Sequence, residues 1–255
     1  MLTQLGKPEE FAKFCTYDMN LHDKALIQFF DQMADNTNLN FRDIKSLELV
    51  MKYFKNAKYI ANPQIVHLAY EATDREKFWL EAIDMTKNIE GMILEFGVFK
   101  GLSISFLAKN LPERRLYGFD SFEGLPEDFS STRPKGHTSA MGILPKVPSN
   151  VTLYKGWFED TLPEFLATHD SENCALIHVD CVLHSSTKTV LSLLTPFIKP
   201  GTLIMFDEYF NYNQWENHEY KAFQEFVIAN QISYEYIAYT DLQVLVKVLE
   251  VGVNL

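Results

Sequence analysis

From Gly91 onward, short apolar runs alternate regularly with stretches of helical pattern. Each run is near the length of a buried strand, and several are continuously apolar, as parallel strands covered on both faces are. The intervening helical stretches begin near Gly101, Asp160, Ser185 and Asn217. The runs are MILEFG (92–97), RLYGFD (115–120), VTLYKG (151–156), CALIHVD (174–180) and TLIMFD (202–207).

The end of the chain adds two further strand patterns, YEYIAYT (234–240) and LQVLVKVL (242–249). So close a connection predicts an antiparallel pair. The whole alternation predicts an α/β fold, a doubly wound sheet with right-handed crossovers. Ligands bind such sheets beyond the carboxyl ends of the strands. Three runs end in Asp120, Asp180 and Asp207, so the pattern predicts a site at that edge.

The first 90 residues predict an N-terminal helical cap region, with apolar residues at helical steps in 23–34 and 67–88 and no strand pattern. Residues 91–255 are predicted to form one compact Rossmann-like domain. Within this domain, the stretch from Ser121 to Asn150 is rich in Ser, Pro and Gly. A loop of this length inside a compact domain is typical of a lid or binding loop, or of partial disorder.

The net charge of the chain limits which classes of partner it can bind. The net charge is −11 and the pI about 5.1, which argues against nucleic acid and against anionic membranes. No apolar run approaches the roughly 20 residues of a membrane helix, and the N-terminus shows no secretory pattern. Cys15, Cys174 and Cys181 have no metal-binding spacing, so we expect reduced, buried thiols in a cytoplasmic protein.

The segment LEFGVFKG follows a predicted strand and opens a helix. Gly97 and Gly101 allow close approach of a ligand, and the helix start offers free N–H groups to an anion. Asp120 ends the next strand, 19 residues after Gly101, where an acid can accept hydrogen bonds from ribose hydroxyls. Together these features favour a nucleoside-bearing cofactor over a simple tight turn.

Two such cofactors fit, a dinucleotide and S-adenosylmethionine. A dinucleotide site needs glycine two residues before Gly97, and this chain has Glu95. A carboxylate repels a pyrophosphate but is compatible with the ammonium and sulfonium groups of S-adenosylmethionine. The residues therefore favour S-adenosylmethionine, and an NAD-dependent oxidoreductase stays as the weaker alternative.

Five motifs carry a resemblance to a known family: ILEFGVFKG, YGFDSFEGLPEDF, GWFEDTLPEFL, IHVDCVLHSSTKTVLSLL and PGTLIMFDEYF. Over about residues 65–248 the chain resembles the macrocin O-methyltransferase family, whose members include enzymes of natural product biosynthesis. The resemblance implies a class I methyltransferase fold with an N-terminal helical extension. It also implies S-adenosylmethionine, a magnesium ion, and a hydroxyl of a small sugar-like or glycosylated metabolite as acceptor. It leaves a homo-oligomer open.

The resemblance also implies two groups of site residues. The cofactor-binding group comprises Glu95, Gly97, Gly101, Ser103, Asp120, Ser121, Phe122, Trp157 and Phe158. The metal-binding group comprises Asp180, Asp207 and Glu208. Oxygen ligands of this kind suit Mg²⁺, which would lower the pKa of the bound hydroxyl.

One position departs from the family. The usual Asp-Cys-Asp-Leu-Tyr is Asp180-Cys181-Val182-Leu183-His184 here, so the implied general base is absent. His184 is one candidate catalytic replacement, oriented by Asp180 if the turn between them is helical. Alternatively the metal alone acidifies the hydroxyl, or the chain binds the cofactor with altered or lost methyl transfer.

Overall fold

The computed structural model describes residues 42–60 and 74–252. Within them, short 3₁₀ turns at 195–197 and 215–217 accompany the regular elements. The helices are α1 (Ile44–Tyr53), α2 (Asp74–Thr86), α3 (Leu102–Asn110), α4 (Phe158–Ala167), α5 (His184–Leu194) and α6 (Glu219–Ala229). The strands are β1 (Lys58–Tyr59), β2 (Met92–Phe96), β3 (Leu116–Asp120), β4 (Val151–Lys155), β5 (Cys174–Val179), β6 (Leu203–Phe206), β7 (Ser233–Tyr239) and β8 (Val244–Glu250).

These strands form one sheet in the order β1-β7-β8-β6-β5-β2-β3-β4. The strands from β2 to β6 pair in parallel, whereas β8 runs antiparallel to both β6 and β7. The predicted doubly wound sheet with an antiparallel last strand is therefore confirmed. Every residue of β2, β5 and β6 is buried, which explains their continuously apolar sequences.

Two apolar layers cover the sheet. Side chains alternate along a strand, so Leu94 faces one layer and Ile93 the other. Helices α1, α4, α5 and α6 contribute to the first layer, and α2 and α3 to the second. This packing fixes the strand ends, and thereby the loops that follow them, at one edge of the sheet.

The N-terminal region differs from its prediction in one respect. Lys58 and Tyr59 form β1, which pairs in parallel with Ala238 and Tyr239 of β7, so the expectation of no strand before residue 90 was wrong. A two-residue strand is too short to produce an alternating pattern. Helix α2 lies within the predicted 67–88, while 23–34 and Cys15 fall outside the described residues. The domain boundary near residue 90 stays a prediction.

The stretch from Ser121 to Asn150 contains no helix or strand and one isolated bridge, Ser130 with Arg133. It is held by backbone bonds to itself, such as that from the Gly136 N–H to the Leu125 carbonyl (2.8 Å). Among the described helices, none has the length and apolar character required to cross a membrane.

Candidate active site

A cavity of about 1040 Å³ opens at the carboxyl ends of β2, β3, β5 and β6. This is the edge at which the sequence predicted a site. Eight of the predicted site residues line the cavity: Gly97, Asp120, Ser121, Trp157, Phe158, Asp180, Asp207 and Glu208. The residues that line it do not include Glu95, Gly101, Ser103, Phe122 or His184, all of which lie in described parts of the chain.

Backbone hydrogen bonds hold the Asp120 side chain in the cavity wall. Its Oδ2 accepts a hydrogen bond from the Phe99 N–H and its Oδ1 from the Phe122 N–H, both at 2.7 Å. Burial raises the pKa of this carboxyl, and the two N–H groups oppose that shift. Both donors have positive φ, 49° for Phe99 and 59° for Phe122, so two strained residues hold the carboxylate in place.

Glu95 is buried, is not among the residues that line the cavity, and binds other side chains. The Ser103 hydroxyl donates to its Oε1 and His178 Nδ1 donates to its Oε2, each at 2.9 Å. Ser103, which the resemblance assigns to the cofactor-binding group, thus makes an internal bond to Glu95 in this structure. Burial opposes protonation of His178, but the carboxylates of Asp207 and Glu95 outweigh it and raise its pKa to about 10.

Two predicted metal ligands, Asp180 and Asp207, lie together against Arg75 of α2. Arg75 Nη2 is 3.4 Å from Asp180 Oδ2, and Arg75 Nε donates to Asp207 Oδ1 at 3.3 Å. A second bond joins Arg75 Nη2 to Asp207 Oδ2. Burial and the adjacent Asp207 raise the pKa of Asp180. Burial alone would raise the pKa of Asp207 as well, but His178 and Arg75 lower it.

Only some of the predicted metal ligands are arranged to bind a divalent cation. Donor atoms of His178, Asp180 and Asp207 lie within 4.8 Å of one another, and carboxylate oxygens are the ligands that Mg²⁺ prefers. The third predicted ligand, Glu208, instead accepts from Arg133 Nη1 at 3.1 and 3.3 Å. Because the Arg75 guanidinium contacts both remaining carboxylates, a metal ion fits this pair only after Arg75 moves away.

His184 does not meet Asp180. The turn after β5 is not helical, since α5 begins only at His184 and Val182 adopts φ of 64°. His184 Nε2 instead binds Glu225 Oε2 of α6 at 3.0 Å. The arrangement in which Asp180 orients His184 is therefore not formed in this structure.

Sequence reasoning missed Arg75, Arg133 and a third group, Glu219. Glu219 is buried at the start of α6, where its carboxylate accepts from the N–H of Val182 (2.9 Å) and of Glu208 (3.2 Å). Burial raises its pKa, as do the charges of Glu208 and Asp180. Glu219 thus ties together the two loops that carry the cavity carboxylates. No local sequence pattern marks it.

We expect Val182→Asn to stabilise the protein. A β-branched side chain in the left-handed region costs about 1–2 kcal/mol, and asparagine tolerates that conformation better. After the loss of some apolar burial, a net gain of about 0.5–1 kcal/mol in unfolding free energy remains. Urea denaturation measures it. The matched control, Val227→Asn in the half-buried part of α6, should lose stability. A loss in both variants would contradict strain at Val182.

Comparisons with known proteins agree with this geometry. A family model described as a methyltransferase domain matches residues 94–209. A tetracenomycin-type 4'-O-methyltransferase of Streptomyces olivaceus is 27% identical over 172 residues, 58% of this chain and 64% of that protein. Demethyldecarbamoylnovobiocin O-methyltransferase of Streptomyces niveus is 24% identical over 145 residues, 48% of this chain and 54% of that protein. The matches thus span less than two thirds of these relatives' length.

Solved structures share the fold. The calicheamicin methyltransferase CalS11 has a TM-score of 0.57 at 18% identity, with 92% of this chain and 95% of that chain covered. The O-methyltransferase NovP has a TM-score of 0.52 at 21% identity, with 69% and 80% covered. The matched methyltransferase domain and the shared fold confirm the predicted resemblance to the macrocin-type family of class I S-adenosylmethionine-dependent O-methyltransferases.

Proposed function

We propose that this protein transfers a methyl group from S-adenosylmethionine to a hydroxyl of a small sugar-like or glycosylated metabolite. The observation that carries the proposal is the Asp120 carboxylate, held at the cavity by two backbone N–H groups after the turn at Gly97 and Gly101. The relative from Streptomyces olivaceus is named for a rhamnosyl-tetracenomycin acceptor, which supports the acceptor class.

S-adenosylmethionine supplies the reaction with an activated methyl group. On the protein side, Asp120 accepts hydrogen bonds from the ribose hydroxyls, and Trp157 and Phe158 offer flat apolar surface beside the adenine. Gly97 leaves its part of the cavity wall without a side chain. Glu95 does not line the cavity; it supports the site through the buried hydrogen bonds that it makes with Ser103 and His178.

We place the acceptor beside Asp180, which lines the same cavity. In the transfer, the acceptor oxygen forms a bond to the methyl carbon, the bond from carbon to sulfur breaks, and the hydroxyl proton must leave. Asp180 lines the cavity, and its pKa is raised by burial and by Asp207, which moves it toward the range of a general base. We assign the proton to Asp180 rather than to His184, which is directed to Glu225.

The long loop supplies polar groups suited to a sugar. Glu127, Arg133, His137 and Thr138 line the cavity from the stretch between Ser121 and Asn150. Glu127 accepts from the Ser185 hydroxyl at 2.5 Å, and Arg133 binds Glu208, so the loop reaches across to α5 and to the end of β6. These contacts support its role as the wall or lid that encloses the acceptor.

The resemblance implies assistance by magnesium. The carboxylates of Asp180 and Asp207 are suitable ligands for this ion, but the Arg75 guanidinium already contacts both of them. The proton transfer to Asp180 needs no metal ion. The alternative of a cofactor-binding protein without methyl transfer gains nothing from the comparisons, whose named relatives are methyltransferases.

Calorimetric titration with S-adenosylhomocysteine tests the cofactor site. We expect micromolar binding by the wild type and at least tenfold weaker binding by Asp120→Asn, because hydrogen bonds to a charged group contribute about 1.5–3 kcal/mol. The control is Asp170→Asn, which makes the same change at an exposed position after α4. Thermal melting verifies that each variant is folded. Undetectable binding by the wild type, or full affinity in Asp120→Asn, would overturn the proposed site.

A further inference from the structure

Arg75 is held from two sides at the acceptor end of the cavity. Its guanidinium contacts Asp180 and Asp207, which lie 105 and 132 positions further along the chain. Its Cζ also lies 5.4 Å from the centre of the Trp79 ring, one helical turn along α2, and Trp79 is buried. Two independent contacts therefore fix the guanidinium, and α2 delivers it to the strand ends.

The residues around Arg75 offer few free ligands for a divalent cation. Asp207 also accepts from Gln243, and Glu208 is engaged by Arg133. Position 182, where the resemblance implies another acid, is valine. A metal ion would thus find two protein carboxylates, both already neutralised in part by a guanidinium. Binding it would require Arg75 to give up its bonds to both of them.

The orientation of Arg75 also suits an acceptor. The bonds to Asp180 and Asp207 use Nε and Nη2, and no hydrogen bond of Nη1 is found among the described residues. Arg75 lines the cavity beside Asp180. Its fixed planar fork can donate from Nη1 to an oxygen in the cavity while the other nitrogens hold the carboxylates.

We propose that Arg75 takes the place of the divalent cation in this protein: it neutralises Asp180 and Asp207, orients the acceptor oxygen, and keeps metal ions off the carboxylate pair. The orienting role rests on the proposed function, whereas the exclusion of metal ions does not. Arg75 is a positioning residue in this scheme, and the proton acceptor is Asp180.

Binding of Mn²⁺, followed by the loss of the free-ion electron paramagnetic resonance signal, tests the exclusion directly. We expect the wild type to bind Mn²⁺ at least tenfold more weakly than Arg75→Gln. Arg75→Lys keeps a positive charge at this position and should bind nearly as weakly as the wild type. Arg115→Gln, the same change at an exposed residue that lies outside the cavity lining, should match the wild type.

Tight Mn²⁺ binding by the wild type that Arg75→Gln leaves unchanged or weakens would overturn the proposal. Titration with S-adenosylhomocysteine on the same samples separates the two questions. If the wild type binds S-adenosylhomocysteine normally but also binds Mn²⁺ tightly, only the proposed role of Arg75 is overturned, and the proposed function stands. Loss of S-adenosylhomocysteine binding in the wild type defeats the proposed function and leaves the Mn²⁺ comparison valid.

Discussion

Replacing Gly97 with alanine is expected to lower the free energy of unfolding by more than about 4 kcal/mol, or to prevent folding. A Cβ on Gly97 would lie 1.9 Å from the carbonyl oxygen of Asp180 and 2.7 Å from its carbonyl carbon. Gly97 also has φ of 98°, outside the range that alanine adopts without strain. The obstacle is backbone, so no side chain can move aside to relieve it.

Gly136→Ala separates the two causes of the expected loss at Gly97, the contact with the Asp180 backbone and the strain of a positive φ. Gly136 also has positive φ, 80°, but a Cβ there would have no atom within 4 Å. Its replacement should therefore cost only the conformational penalty, about 1–2 kcal/mol. Urea denaturation of both variants measures the difference, with expression yield as the readout if Gly97→Ala does not fold. Equal losses in the two variants would refute the packing of Gly97 against Asp180.

Gly97 has a structural requirement that its predicted role at a ligand site does not include. The sequence marked Gly97 as a place where a ligand approaches closely, and Gly97 does line the cavity. Its strictest requirement, however, comes from the neighbouring strand, because the backbone after β5 crosses directly over it. Only the pairing of β2 with β5, which joins Glu95 to His178, brings those two segments together.

The strand ends were predictable because their signals are local. Continuous apolar runs mark β2, β5 and β6, and a parallel sheet brings their carboxyl ends to one edge, which places Asp120 and Asp180 at the same cavity. The short link before β8 likewise required an antiparallel pair. In each case the information lies within a few residues of the element concerned.

The partners of the carboxylates were not predictable, because they come from distant segments. Arg75 lies more than 100 positions before Asp180, and Arg133 belongs to a loop without any periodic pattern. The predicted alignment of His184 with Asp180 is absent for a local reason. Val182 adopts a left-handed conformation, so α5 begins too late to align His184 with Asp180. Valine is among the residues least expected there.

His178 carries the other large expected effect, because it lies within a buried row of alternating charges. Its Nδ1 donates to Glu95 and its Nε2 faces Asp207 Oδ1 at 3.9 Å, while Asp207 in turn binds Arg75. The His178 side chain is fully buried. Removing one member of such a row leaves an uncompensated buried charge, which costs about 3–5 kcal/mol. We therefore expect His178→Gln to lose that much stability at pH 7.

The pH dependence of this loss identifies its cause. The pKa of His178 is about 10 in the folded protein and 6.5 for an ordinary histidine, so its contribution is fully present below pH 6.5 and disappears as the pH rises to about 10. The difference in unfolding free energy between wild type and His178→Gln should therefore shrink from pH 7 to pH 10. His169→Gln, the same change at a half-buried position two residues after α4, should cost less than about 1 kcal/mol at pH 7. A difference for His178→Gln that stays constant or grows over this range would mean that the imidazole is neutral, and that Glu95 and Asp207 are held by hydrogen bonds alone.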